Sequence, residues 1–148
     1  MSLHLLGQPV VAWLAGTRVM FRWMYATRIP AMMKAGIDIT NLRGTTGRSL
    51  DDVLPAKVQW KAHNYNHLLE QPVLFYAACL ILMLLNVEGR VAVLLAWTYV
   101  GLRIAHSLLQ ATVNVVKFRF ALFFLASLAL IGLIGLAGMA SIFNPGNV

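Results

Sequence analysis

Apolar and polar positions divide the chain into four apolar stretches of helical length. They run roughly over Leu3–Tyr25, Val73–Val87 with a more polar lead-in from Val58, Val91–Leu109 and Phe120–Phe143. A membrane-crossing helix rises ~1.5 Å per residue and needs about 20 residues, so the pattern predicts helices over about 3–27, 55–87, 90–114 and 118–143. Residues 28–54 hold Gly36, Asn41, Gly44 and Gly47 among Arg28, Lys34, Asp38, Arg43 and Arg48, which reads as a long polar loop. Asp51 and Asp52 ahead of Val53-Leu54-Pro55 mark the start of the second helix, because acidic residues and proline suit a first turn. Pro72 lies inside that helix and predicts a kink near Leu68–Pro72, with the freed carbonyl taken by a polar neighbour or water. Asn86–Arg90 and Asn114–Arg119 read as short turns.

Composition turns this pattern into a fold class. The chain is 59% hydrophobic and 11% charged, with a mean hydropathy of +0.72, whereas soluble domains run near 45–50% apolar and about 25% charged. The expectation is an all-α integral membrane four-helix bundle, one domain over residues 1–148, with the lipid bilayer as its first partner. The first stretch has no Lys or Arg at its amino end and no short apolar core ending at a small-residue site, so it is expected to stay rather than be cleaved as a signal. It contains Arg18 and Arg22, each costing about 2.5–3.5 kcal/mol at a bilayer centre, and is the least secure span. The single Cys79, in an apolar run, excludes a disulfide framework or cysteine metal cage and reads as packing.

The net charge of +7 is explained by position. Arg28, Lys34, Arg43, Arg48, Lys57, Lys61, Lys117 and Arg119 belong to the first and third loops or their edges, against Arg90 alone in the second. The positive-inside rule then puts the first and third loops in the cytosol and both termini on the opposite side, and nucleic acid is not needed to account for the charge. Gly44-Thr45-Thr46-Gly47 lacks the lysine, strand and helix of a phosphate-binding loop and reads as a turn.

Polar residues within the spans are expensive and therefore informative. At about 100° per residue, His63, Asn66, His67 and Glu70 fall within an arc of about 100° on the second helix. Tyr99, Arg103, His106, Ser107, Gln110 and Asn114 form a comparable stripe on the third. The two helices are antiparallel, and seven residues inward from the cytosolic edge is about 10 Å on each, so Glu70 is expected to meet Arg103 as an ion pair in a wet cavity open to the cytosol. Four readings of the stripes remain: interhelical hydrogen-bonding glue, a metal held by His63-x-x-x-His67 with Glu70 or His106, a haem between His63 or His67 and His106, or an anionic ligand. Only an anionic ligand with an amine and several carboxylates uses Asn66, Glu70, Arg103 and Arg119 together, and no metal is assigned.

The run His63-Asn64-Tyr65-Asn66-His67-Leu68-Leu69-Glu70-Gln71-Pro72-Val73-Leu74-Phe75-Tyr76 resembles the second-helix signature of the MAPEG family, membrane-associated proteins of eicosanoid and glutathione metabolism, in a bacterial-type form. Arg103-Ile104-Ala105-His106-Ser107, followed by Asn114 and Arg119-Phe120, resembles that family's third helix and following turn. The resemblance implies a homotrimer of four-helix subunits that holds glutathione as cosubstrate on the cytosolic side. It also implies glutathione-dependent conjugation or peroxide reduction of a hydrophobic small molecule. By the same resemblance Asn66, Glu70, Arg28 and Arg103 contact glutathione, and Arg119 or Lys117 polarises its thiol. Anchoring the motif on Glu70 places His67 where the family has Asn and His63 where it has Arg, while His106 and Gln110 stand where leukotriene-type members carry tyrosines. A non-catalytic lipid- or ligand-binding scaffold of the same fold is the alternative. A small multidrug transporter fits less well, since its first helix should carry an acidic residue and this one carries Arg18 and Arg22.

Overall fold

The computed structural model describes residues 5–40 and 43–143; Leu3, where the apolar pattern begins, Asn41 of the first loop and both chain ends lie outside the described residues. The described residues form helices α1 (Gly7–Lys34), α2 (Ala56–His67), α3 (Pro72–Leu84), α4 (Arg90–Thr112) and α5 (Val116–Phe143), with a short 3-10 turn at Gly47–Leu50 and no strand among them. Because α2 and α3 follow one another as a single interrupted rod, the architecture is a four-helix bundle. Three of its rods, Ala56–Leu84, Arg90–Thr112 and Val116–Phe143, are long and apolar enough to cross a membrane. Helix α1, which carries Arg18, Arg22, Arg28 and Lys34, is not among them.

Each boundary has a local cause. Helix α1 continues to Lys34 because loop-like charge does not stop a helix, and even Pro30 costs only a hydrogen bond. It ends where Gly36 takes φ +67° and the Ile37 N–H returns to the Met32 carbonyl at 3.1 Å. Asn86 (φ 54°) and Asn114 (φ 52°) end α3 and α4 in the same left-handed way, with Val87 N–H reaching Leu82 O at 2.9 Å and Asn114 N–H reaching Leu109 O at 2.8 Å. The amino end of α1 is met by Glu88, whose Oε2 accepts from the Leu6 N–H at 2.8 Å, a carboxylate where a helix leaves its donors free. Asp51 and Asp52 lie outside the first turn of α2, contrary to the expectation from their spacing. Pro55 ends the preceding turn first, and Asp51 reaches forward instead to Gln59 Nε2 and His63 Nε2, both at 2.8 Å.

Helix α4 is central, packed on α5, α2 and α1, and α3 also lies along α5. Small side chains bring α4 and α5 together: Ala92, Ala96, Ala126, Ala129 and Ala137 are all buried. At Gly132 an added Cβ would stand 3.0 Å from Leu95 Cδ1. Cys79, fully buried among these helices, is part of the packing. The outward faces carry the large apolar side chains, Val91 and Leu94 on α4 and Phe120, Phe124, Leu128 and Ile131 on α5, the surface a bilayer requires.

Candidate functional site

The interruption between α2 and α3 builds the floor of the site. Pro72 has no N–H and its ring crowds the carbonyl four residues back, so the chain tightens, with Leu69 N–H donating to Asn66 O at 3.0 Å. In the tightened turn Gln71 N–H does not return to the His67 carbonyl either, and Arg103 Nη2 takes that carbonyl at 3.1 Å from the facing helix α4. Arg103 Nη1 lies 3.2 Å from His67 Nε2, and His67 Nδ1 lies 3.1 Å from Glu70 Oε2. A guanidinium has only donors, so Nε2 must be the acceptor and the Nδ1–H must donate to Glu70. This network assigns His67 as the neutral Nδ1–H tautomer.

The expected direct pair of Glu70 and Arg103 is therefore corrected: His67 stands between them. Helix α2 ends at His67, so that ring still faces α4, while Glu70 sits in the following turn with its side chain 69% exposed. Arg103 itself is fully buried. Its guanidinium carbon lies 5.7 Å from the Trp13 ring centre and 5.6 Å from that of Phe123, so aromatic faces supply much of what water would. Below it Tyr99 stacks on Phe75 at 4.6 Å, and Trp13 meets Tyr99 edge-on at 6.2 Å.

Above this floor opens a polar cavity of about 270 Å³ lined by Arg48, His63, Asn66, His67, Glu70, His106, Gln110 and Arg119. All four residues of the α2 stripe line it, whereas of the α4 stripe only His106 and Gln110 do, with Arg103 and Tyr99 packed beneath. His106 and Gln110 are buried, and His106 Nδ1 and Gln110 Oε1 have no hydrogen-bond partner among the described residues. A second cavity of about 200 Å³ adjoins the first, lined by His67, His106, Val116, Arg119, Phe120 and Phe123. Its walls are largely rings, with His67 and Phe123 centres 5.1 Å apart and His67 and His106 centres 5.3 Å apart. Three side chains, His67, His106 and Arg119, line both spaces. Arg119 is steered there by Asn114, whose Oδ1 accepts from Nη1 at 2.7 Å.

Three candidates from the sequence lie elsewhere. Lys117 is exposed and outside the cavity lining, because two residues of helix turn it away from Arg119. Arg28 donates from Nη2 to the Gly47 carbonyl at 2.7 Å and lines a separate, mainly apolar cavity of about 450 Å³ between the end of α1 and the first loop. Arg103 acts beneath the cavity rather than on its wall. Conversely, Arg48 enters from a loop that helical periodicity cannot register. Trp13 and Phe123 gave no signal beyond being apolar. Asn64, fully buried with its amide unpartnered, was hidden beside the more obvious Asn66. Among the described residues, no group of three or more His, Cys, Asp or Glu side chains is arranged to hold a metal ion.

The cavity thus offers two guanidiniums, one carboxylate, histidine rings and the amides of Asn66 and Gln110, with a ring-walled space beside it. That set suits a ligand with one ammonium and more than one carboxylate. A family model described as "MAPEG family" matches residues 6–139, nearly the whole chain. Comparison with curated proteins and with solved structures gives no match.

Proposed function

The chain belongs to the MAPEG family, and on that premise we propose that it binds glutathione in the polar cavity and uses it to conjugate or reduce a hydrophobic substrate held in the ring-walled space. The observation that carries this reading is the seam: His67, His106 and Arg119 line both cavities, which is where a thiol and a second substrate have to meet. In this reading the Glu70 carboxylate takes the ligand ammonium, and Arg48 takes a carboxylate. Arg119 stabilises the thiolate by charge; a free thiol has a pKa of about 8.5, and a nearby guanidinium favours the ionised form. The thiol proton leaves to water. The sulfur then bonds to an electrophilic carbon while the leaving group departs with its electron pair. With a peroxide it instead takes the terminal oxygen, releasing an alcohol, and a second glutathione reduces the sulfenic acid to give the disulfide and water.

A second reading, binding without turnover, is favoured by His106 and Gln110, which stand where leukotriene-forming relatives carry tyrosines. We further propose a homotrimer with the first and third loops on the cytosolic face. The exposed Arg18 and Arg22 on α1 support assembly, since a lipid-facing pair would be costly.

The decisive experiment is a calorimetric titration of the detergent-purified protein with glutathione to millimolar concentration, paired with turnover of 1-chloro-2,4-dinitrobenzene and cumene hydroperoxide. Saturable binding with turnover of either substrate is expected. Binding without turnover selects the scaffold reading, and absence of binding refutes both glutathione readings.

A further inference from the structure

The relay Glu70–His67–Arg103 assigns His67 a task that no direct ligand contact requires. Glu70 is the one carboxylate on the polar cavity, yet it sits in a turn, largely exposed, where an unsupported side chain would sample many rotamers. Its Oε2 is held by His67 Nδ1 at 3.1 Å. That nitrogen carries a proton because Nε2 is occupied by Arg103, whose guanidinium is itself fixed between the Trp13 and Phe123 rings and by the His67 carbonyl. The chain of constraint runs from a buried, ring-flanked cation, through a ring whose tautomer its contacts select, to the exposed carboxylate.

We propose that His67 is a positioning residue: with its tautomer set by Arg103, it aims Glu70 at the ammonium group of the ligand, and so makes the site selective for thiols that carry an amine. This rests on the glutathione reading of the cavity. The His67 ring also edges both cavities, so the test reads its hold on Glu70 through the amine alone.

The test compares glutathione with glutaryl-cysteinyl-glycine, the analogue lacking the γ-glutamyl amine, on the full-length protein and its variants. Wild-type protein is expected to prefer glutathione by roughly tenfold, the scale of one hydrogen bond to a charged group. His67→Leu removes the support and should erase that preference by weakening glutathione alone. His67→Gln should retain it, because one amide can accept from Arg103 through its oxygen and donate to Glu70 through its nitrogen. Where His67→Leu does not fold, His67→Met, which fills the space but has no N–H to donate to Glu70, serves as the disrupting variant. In turnover the loss should appear as a raised KM for glutathione without a matching rise for the amine-lacking thiol, a split that general destabilisation does not produce. Preference unchanged in the disrupting variant, or equal weakening of both thiols in a folded variant, overturns the proposal while leaving the glutathione reading intact. If wild-type protein binds neither thiol, that reading falls, and the relay is judged by ¹⁵N-histidine NMR. A neutral His67 ring protonated at Nδ1 upholds the tautomer assignment; a ring protonated at Nε2, or at both nitrogens near neutral pH, overturns it.

Discussion

At the scale of single residues, Arg119 and Lys117 pose a clean contrast. Two positions apart on a helix, they point about 200° away from each other, and only Arg119 reaches the cavity. Arg119→Ala is expected to remove the ultraviolet thiolate band of bound glutathione and to lower turnover by roughly 10²-fold, the usual scale for deleting one preorganised charge contact. Lys117→Ala should leave both unchanged, and equal losses from the two variants would refute the assignment. Asn114 allows a finer separation, since it does two things at once. Its left-handed backbone (φ 52°) turns the chain from α4 into α5, and its Oδ1 holds Arg119. Asn114→Gly keeps the turn and drops the hold, so turnover should fall several-fold with little change in thermal midpoint. Asn114→Ala adds the left-handed penalty of about 1–2 kcal/mol and should lower the midpoint as well. A Gly variant as unstable as the Ala variant would show that the side chain, not the backbone, stabilises the turn.

Among the elements, α5 packs along α4, and Gly132 tests how closely. A β-carbon there would lie 3.0 Å from Leu95 Cδ1, the flexible end of a side chain. Gly132→Ala is therefore expected to cost about 1 kcal/mol through displacement of Leu95, and Leu95→Ala should restore tolerance in the double variant. Additive losses measured by thermal unfolding in detergent would show that the two positions do not meet. This scale also shows what the sequence makes legible. The helices α3, α4 and α5 follow from apolar runs closed by Asn86 and Asn114, and the break at Leu68–Gln71 follows from Pro72. The stripes on α2 and α4 are legible because periodicity is local, and it places His63, His67, His106 and Gln110 on facing sides before any packing is known. Helix α1 outruns the pattern because charge marks where lipid ends, whereas a helix stops where the backbone is turned, here at Gly36. Arg48 and the aromatic clamp on Arg103 are illegible for the opposite reason: their roles depend on contacts between distant segments. Inserting His67 between Glu70 and Arg103 needed the actual end of α2, which a continuous helical wheel does not contain.

For the whole molecule, the unsolved charge is on α1. Arg18 and Arg22 are both exposed, and Arg18 lies over the Phe21 ring at 5.6 Å. Arg22 is twelve residues, about 18 Å, from the Lys34 end of the helix, too deep for easy snorkelling from the loop side. Arginines at such depth need water or protein around them, so the outer face of α1 is expected to lie against a neighbouring subunit. Amine-reactive cross-linking of the purified protein should then give a ladder ending at three subunits, and Arg18→Leu with Arg22→Leu should change that ladder. If the two arginines instead face lipid, the double substitution stabilises each subunit and leaves the ladder as it was, so one experiment separates the two arrangements. Sidedness is tested on the same preparation in vesicles, because Cys79 is buried and gives little background to an impermeant maleimide. A cysteine placed at Arg43 should be labelled from the face opposite to one placed at Arg90. Labelling of both from one face would break the link between the basic loops and the cytosolic leaflet. It would also leave the polar cavity, whose rim includes Arg48 of the first loop, facing the wrong compartment for a cytosolic thiol.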